Sequence, residues 1–228
     1  MGPLERYRTA HDLPTRLAIF PLAGALLLPR TKLPLNIFEP RYLAMVHDAM
    51  ANSRIIGMVQ PAGGQPADGT SDGDDAPAVQ SIGCAGRITS YAETDDGRLL
   101  IVLTGIARFQ VVAENETSRP YREVEADFTG FAGDLIAGLG EADVDRRVLI
   151  ETLRIYLEAR QLVADWDEVE AASTEALVNS LSALSPYPAG DKQALLEAAD
   201  LKARADMLVA LTEMALARAE GADGPRLQ

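Results

Sequence analysis

The chain has 228 residues, of which 47% are hydrophobic and 24% charged, and its formal net charge at pH 7 is −13. These proportions are ordinary for a globular protein and provide enough apolar residues for a substantial core. An acidic protein repels phosphate backbones, so the charge disfavours nucleic acid as a partner.

The apolar stretches and the cysteine content bear on the cellular compartment. No stretch reaches the roughly 18 to 20 apolar residues that cross a bilayer, and the N-terminus lacks the apolar centre of a signal peptide. The single cysteine, Cys84, has no internal disulfide partner and suits a reducing compartment. The sequence therefore predicts a cytoplasmic protein that does not contact a membrane.

The beginning of the chain predicts two short strands that lead into a helix. The strands belong to the apolar run 17–22 and to the first part of 33–43, and the helix covers about 40–52. Pro40 suits the first helical turn because its missing N–H has no intrahelical partner there. Glu39 falls near the N-cap, where a carboxylate faces unpaired backbone donors.

A series of strands follows this helix. Residues 61–80 are rich in Gly, Pro, Asp and Ser and predict a mobile surface loop. The sequence 95–97 (DDG) predicts a hairpin turn, since glycine tolerates a positive φ. The predicted strands lie at 54–59, 82–91, 98–104, 107–113 and 121–128.

From about residue 130 the apolar spacing becomes helical. Helices are predicted at 148–163 and 174–184, the second with Leu184 on its apolar stripe and with a Ser-Pro pair to end it. Asp191 and Asp200 are predicted N-caps of the last two helices. The chain is thus predicted to be β-rich first and helical afterwards.

Several short motifs occur in a fixed order along the chain. They are IFPL at 19–22, PLNIFEPRYL at 34–43, GCAGRI at 83–88, DGR at 96–98 and GIARF at 105–109. Together they resemble one known family, the substrate-binding (N-terminal) domain of Lon proteases. The helical ending DKQALLE at 191–197 is similar to the last helices of that family. The resemblance covers about 15–220.

The resemblance implies an α+β fold in which a β-rich, PUA-like pseudo-barrel with one helix precedes a C-terminal helical bundle. The expected boundaries are 1–130 for the β-rich part, including the mobile loop 61–80, and 131–220 for the helical part. Residues 221–228 are expected to form a disordered tail. The implied molecule is a stand-alone recognition domain without the ATPase and peptidase modules of Lon.

No motif for catalysis, metal binding or cofactor binding is evident. The three lysines, Lys32, Lys192 and Lys202, follow no glycine-rich loop of the phosphate-binding type. The single cysteine and the two histidines are scattered, whereas zinc sites need three or four such ligands at close spacing. We therefore expect a protein that is not an enzyme and that holds no metal and no cofactor.

The candidate binding residues are apolar residues near the strand-to-helix corner and two arginines of the quoted motifs. They are Leu27, Leu35, Phe38, Arg41 and Arg108. The apolar ones are expected to line a shallow groove, with the alternative that each belongs to the core. Arg41 and Arg108 are candidates for a ligand carboxylate or a peptide backbone. The alternative for Arg41 is a bridge to Glu39 that fixes the helix on the sheet.

The main functional hypothesis is a binding module that captures exposed apolar segments of unfolded or misfolded polypeptides, with a role in protein quality control. A second hypothesis is a PUA-like module for nucleic acid or a small ligand, which would use residues 1–60, where the net charge is +3. A third is an adaptor that assembles with a full-length protease. Homo-oligomer formation also stays open.

Overall fold

The computed structural model describes Leu4, residues 6–63 and residues 77–222, with side chains through Arg218. The strands are β1 (Arg16–Pro21), β2 (Lys32–Ile37), β3 (Ile55–Val59), β4 (Ile82–Glu93), β5 (Leu99–Asn115) and β6 (Glu123–Asp127). The α-helices are α1 (Pro40–Ala51), α2 (Arg146–Ala159), α3 (Trp166–Ala171), α4 (Thr174–Leu184), α5 (Ala189–Glu197) and α6 (Leu201–Ala222). Short 3₁₀ segments lie at Ala10–Asp12, Thr129–Leu135 and Glu141–Asp143.

Two predicted segments fall partly beyond this description. Most of the loop predicted at 61–80 and most of the tail predicted at 221–228 lie outside the described residues. The helix α6 continues to Ala222, two residues into the expected tail.

The six strands form one sheet in the order β2-β5-β4-β3-β1-β6, and a further pairing between β5 and β6 closes five of them into a barrel. β1 and β3 are parallel, and the other neighbours are antiparallel. β2 lies outside this closed ring and, within the described part of the chain, pairs only with β5. The predicted α+β architecture, with the sheet before the helices, is confirmed.

The strand β5 differs from its prediction. The expected break between 104 and 107 is wrong, because residues 99–115 form one continuous strand. Gly105, inside this strand, allows the segment 28–31 to approach closely. Its carbonyl accepts from the N–H of Arg30 at 2.8 Å, and its N–H donates to the carbonyl of Thr31 at 2.9 Å. A β-carbon on Gly105 would lie 2.0 Å from the carbonyl oxygen of Leu28. A glycine inside a strand often marks such a close backbone approach.

The helix α1 begins at Pro40 as expected, with Glu39 at the N-cap position. The carbonyl of Glu39 accepts bonds from the N–H groups of Tyr42 and Leu43 at 3.0 and 2.9 Å. The expectation that its carboxylate caps the helix is wrong, because the carboxylate makes no cap hydrogen bond. It accepts instead from Nε of Arg41 at 3.1 Å. Backbone geometry and Pro40 therefore define this helix start.

The C-terminal helices confirm one predicted cap and correct another. The Asp200 carboxylate accepts from the N–H of Ala203 at 2.8 Å, which is the expected N-cap contact for α6. The prediction for Asp191 is wrong, because α5 begins at Ala189 after Pro188. Proline before the first turn costs no hydrogen bond, so the helix starts three residues earlier than predicted.

Buried side chains of the sheet and of the helices form one hydrophobic cluster. Leu28, Ile101 and Leu103 of the β-rich half belong to the same cluster as Leu177 and Leu195 of the helices. A second cluster fills the barrel interior around Ile19, Phe109 and Val124. The two halves therefore pack on a common apolar layer, and the predicted domain boundary near 130 stays a prediction.

Candidate functional site

An apolar cleft lies at the corner where β2 leads into α1, and we call it the Phe38 cleft. It encloses about 310 Å³. Its lining residues are Phe20, Pro21, Leu22, Ala23, Leu35, Asn36, Ile37, Phe38, Glu39 and Tyr42. The Phe38 side chain is 60% exposed.

Local structure explains this exposure. Successive side chains of a strand face opposite ways, so the buried Ile37, at 1% exposure, turns its neighbour Phe38 outward. Pro40 then starts the helix, so the chain turns before Phe38 can pack on the sheet. The stacked rings of Phe20 and Tyr42, with centroids 4.1 Å apart, form a rigid wall of the cleft.

Charged groups border the cleft on two sides. Arg41 forms an ion pair with Glu39 at 3.0 Å and lies 4.7 Å from the centroid of the Tyr42 ring. The guanidinium of Arg98 lies 5.9 Å from the centroid of the Phe38 ring. Such contacts hold an aromatic side chain in place without burying it.

The structure brings together three of the five predicted binding residues. Leu35 and Phe38 line the cleft, and Arg41 lies beside it through its contacts with Glu39 and Tyr42. Leu27 is in the core at 2% exposure, so it faces no solvent. Arg108 is 4% exposed and lies elsewhere, so it also contributes nothing to this cleft.

Arg108 ties the sheet to the helical half. Its guanidinium forms two bonds of 2.8 Å to the carboxylate of Asp134. The same side chain donates to the carbonyls of Leu196 and Ala198 at 3.0 and 2.5 Å, at the C-terminal end of α5. All of these acceptors belong to the protein itself, as is typical of an arginine with a structural role.

A second apolar surface lies in the helical half, and we call it the helical groove. It encloses about 250 Å³ between α2, the C-terminal end of α4, and α6. Leu162 and Leu184 line it and are 55% and 81% exposed, and the adjacent Val163 is 97% exposed. The expectation that Leu184 belongs to a buried stripe is wrong, because α4 ends there and the Leu184 side chain is 81% exposed. The following Ser-Pro pair was the available indication of this ending.

The described residues offer no sign of catalytic chemistry at either surface. Among them, no group of three His, Cys, Asp or Glu side chains lies close enough to hold a metal ion. Burial raises the pKa of the Cys84 thiol far above its ordinary value, which suppresses the reactive thiolate.

A helix that crosses a membrane is long and predominantly apolar. Within the part of the chain that the structure describes, no helix is both long enough and apolar enough to span one.

Residues 16–213 match the family described as the ATP-dependent protease La (LON) substrate-binding domain. Among curated relatives, Lon protease 2 of Myxococcus xanthus is 28% identical over 212 residues, which cover 88% of this chain and 24% of the relative. Lon protease of Anaeromyxobacter dehalogenans is 26% identical over 212 residues, covering 88% of this chain and 23% of the relative. The chain thus spans about a quarter of the length of these relatives.

Solved structures show the same fold. The Lon N-terminal domain protein of Xanthomonas campestris aligns with a TM-score of 0.58 at 21% identity, over 86% of this chain and 98% of that one. The N-terminal domain of the Mycobacterium avium complex Lon protease aligns with a TM-score of 0.60 at 19% identity, over 87% and 98%. With the family match extending from the first strand into the last helix, the chain belongs to the Lon substrate-binding domain family.

Proposed function

We propose that this protein is a non-catalytic recognition domain that captures exposed apolar segments of unfolded or misfolded polypeptides at the Phe38 cleft. The exposed aromatic ring beside a preformed apolar cleft is the observation that carries the proposal. The family description adds support, because the substrate of a protease is a polypeptide. The matching role in a cell is protein quality control in the cytoplasm, with a full-length protease as a further partner.

The chemistry of the cleft sets the expected strength and specificity of binding. Full burial of one large apolar side chain contributes roughly 1.5 to 3 kcal/mol. One or two such contacts give weak, sequence-tolerant binding, since association itself carries an entropic cost. Binding at an apolar cleft depends little on salt, whereas nucleic-acid binding weakens steeply as salt rises.

We expect a fluorescently labelled unfolded polypeptide to bind the wild-type protein at tens of micromolar, without ATP and with little salt dependence. Phe38→Asp should weaken binding by about tenfold or more, because it places a charge where the apolar segment is buried. Fluorescence anisotropy measures both affinities. RNA in place of the polypeptide, at low ionic strength, tests the nucleic-acid alternative.

Two further variants localise the effect. Val112→Asp removes another exposed apolar side chain, on β5 and 57% exposed, and should leave the affinity unchanged. Leu184→Asp makes the same change in the helical groove. Equal affinity of wild type and Phe38→Asp, at equal thermal stability, contradicts the proposed site. A loss confined to Leu184→Asp would instead assign binding to the helical groove.

Assembly is tested separately. Copurification with a full-length Lon protease from native lysate supports the adaptor role that we propose beside recognition, and the Phe38→Asp variant shows whether the cleft takes part. Sedimentation of the purified chain decides between a monomer and a homo-oligomer.

A further inference from the structure

A third cavity lies between the 3₁₀ segment Thr129–Leu135, the helix α4 and the N-terminus of α6, and we call it the arginine cleft. It encloses about 280 Å³. Its lining includes the basic residues Arg30, Arg108, Lys202 and Arg204 and the acidic residues Asp134 and Glu175. It is separate from both apolar surfaces.

Two of the arginines are neutralised by carboxylates. Arg108 is paired with Asp134, as described above, and Arg30 is paired with Glu175, from Nε at 2.9 Å and also from Nη2. Arg204 differs from both, because its acceptors among the described residues are neutral. Its Nε donates to the carbonyl of Leu195 at 2.9 Å, and its Nη1 donates to the side-chain oxygen of Asn179 at 2.9 Å.

The remaining nitrogen of Arg204, Nη2, is buried and has no hydrogen-bond partner among the described residues. The whole side chain is only 3% exposed. A buried charged donor without an acceptor is costly, and nearly all such groups in proteins find a partner. Burial, and then the charge of Arg108, lower the pKa of Arg204 to about 10, so the guanidinium still carries its charge at neutral pH.

The start of α6 contributes a partial positive charge to the cleft. Leu201 and Lys202, its first two residues, line the cavity. The N-terminus of a long helix carries a partial positive charge and favours bound anions. Asp143 and Asp200 also line the cavity, so the formal charges of its basic and acidic side chains balance. The charge of Arg204 lies deeper, where water screens interactions less.

We propose that the arginine cleft binds a small oxyanion, a phosphate or a carboxylate, which supplies the missing acceptor to Arg204. Because Nη2 is buried, the lining of the cleft must open before an anion reaches it. Binding would then join the Thr129–Leu135 segment to α6 through a common ligand. The inference is independent of polypeptide binding at the Phe38 cleft.

The test compares sodium phosphate, sodium acetate and sodium chloride at one fixed ionic strength. We expect phosphate or acetate, but not chloride, to shift the Nε–Hε NMR signal of Arg204 saturably, and Arg204→Lys identifies that signal by its loss. At ten times Kd the effective anion should raise Tm by about 3 to 5 °C. The salt that shifts the signal, phosphate or acetate, shows which of the two oxyanions the cleft binds. An equal shift with chloride overturns the proposal.

A matched pair of variants keeps the test decisive even where Arg204→Lys does not fold. Lys202 lines the cleft and Lys32 is exposed on β2, so Lys202→Gln and Lys32→Gln each remove one positive charge. We expect Lys202→Gln to raise Kd about two- to fivefold, as for an exposed charge pair, and Lys32→Gln to leave it unchanged. Equal effects of the two variants would show diffuse attraction and overturn the site.

Discussion

Arg108 and Arg98 each pair with an aspartate, and burial gives the two pairs different consequences. The side chains of Arg108 and Asp134 are 5% and 10% exposed, whereas those of Arg98 and Asp96 are 51% and 58% exposed. A buried charge that loses its partner has no water to replace it, while an exposed one is rehydrated at once.

We expect Arg108→Met to lower the free energy of unfolding by about 3 to 5 kcal/mol. The substitution leaves the Asp134 carboxylate without its partner and removes the donors to two carbonyls at the C-terminal end of α5. The matched change Arg98→Met should cost less than about 1 kcal/mol. Urea denaturation measures both values, and a similar loss in the two variants would contradict a structural role for Arg108.

Sequence patterns predicted some candidate residues and not others, for reasons of tertiary context. Phe38 and Leu35 lie at a corner that a proline marks locally in the sequence, and both line the cleft. Leu27 and Arg108 are buried, which only the packing of distant segments shows. Arg204 lies in α6, and no nearby sequence pattern marks it as buried with one guanidinium nitrogen that lacks an acceptor among the described residues.

At the scale of elements, β5 organises the barrel. It is 17 residues long, and its first part pairs with β2 while its last part pairs with β6. β5 also pairs with β4, and this pairing shifts register between Ala85 and Gly86 and between Ile88 and Ser90 of β4. Bulges of this kind increase strand twist, which allows one strand to serve opposite sides of a closed sheet.

We expect Gly105→Ala to destabilise the protein by about 2 to 3 kcal/mol or more, because the added methyl group meets backbone atoms of Leu28 that no side-chain rotation can move. Gly190 is the contrasting case, since a β-carbon there would meet nothing within 4 Å. Gly190→Ala, in α5, should be neutral or stabilise by up to about 1 kcal/mol. Thermal unfolding of both variants provides the measurement, and tolerance of Gly105→Ala would refute the close approach.

At the scale of the whole molecule, the shared hydrophobic cluster couples the sheet to the helices. Buried residues from both halves contact one another, and Arg108 adds hydrogen bonds across the same boundary. A half that separated would expose its side of the common apolar layer to water, which is unfavourable in proportion to the area exposed. The two halves should therefore unfold together.

We expect a single unfolding transition in urea. Fluorescence of Trp166, in the helical half, and labelling of the Cys84 thiol, buried in β4, should give the same midpoint, because two-state unfolding makes all probes coincide. Two separate midpoints would show independent units and would support a domain boundary near 130.

Most strands and helices were predictable from hydrophobic periodicity, since that pattern is local, but the continuity of β5 and the short helix α3 were not. Periodicity does not predict barrel closure, which only the family resemblance implied, because the pairing of β5 with β6 and the parallel pairing of β1 with β3 depend on contacts between segments far apart in sequence. The ends of helices were predictable where a proline or an aspartate cap marks them, as at Pro40 and Asp200.

The position of β2 outside the closed ring has a consequence for behaviour at high concentration. A strand with one free side offers a template on which other chains can aggregate. Pro34 and Lys32 oppose this, because proline brings no amide hydrogen and the exposed lysine repels a second copy of itself. The protein can thus keep an apolar corner at the end of this strand while the strand itself resists fibril-like growth.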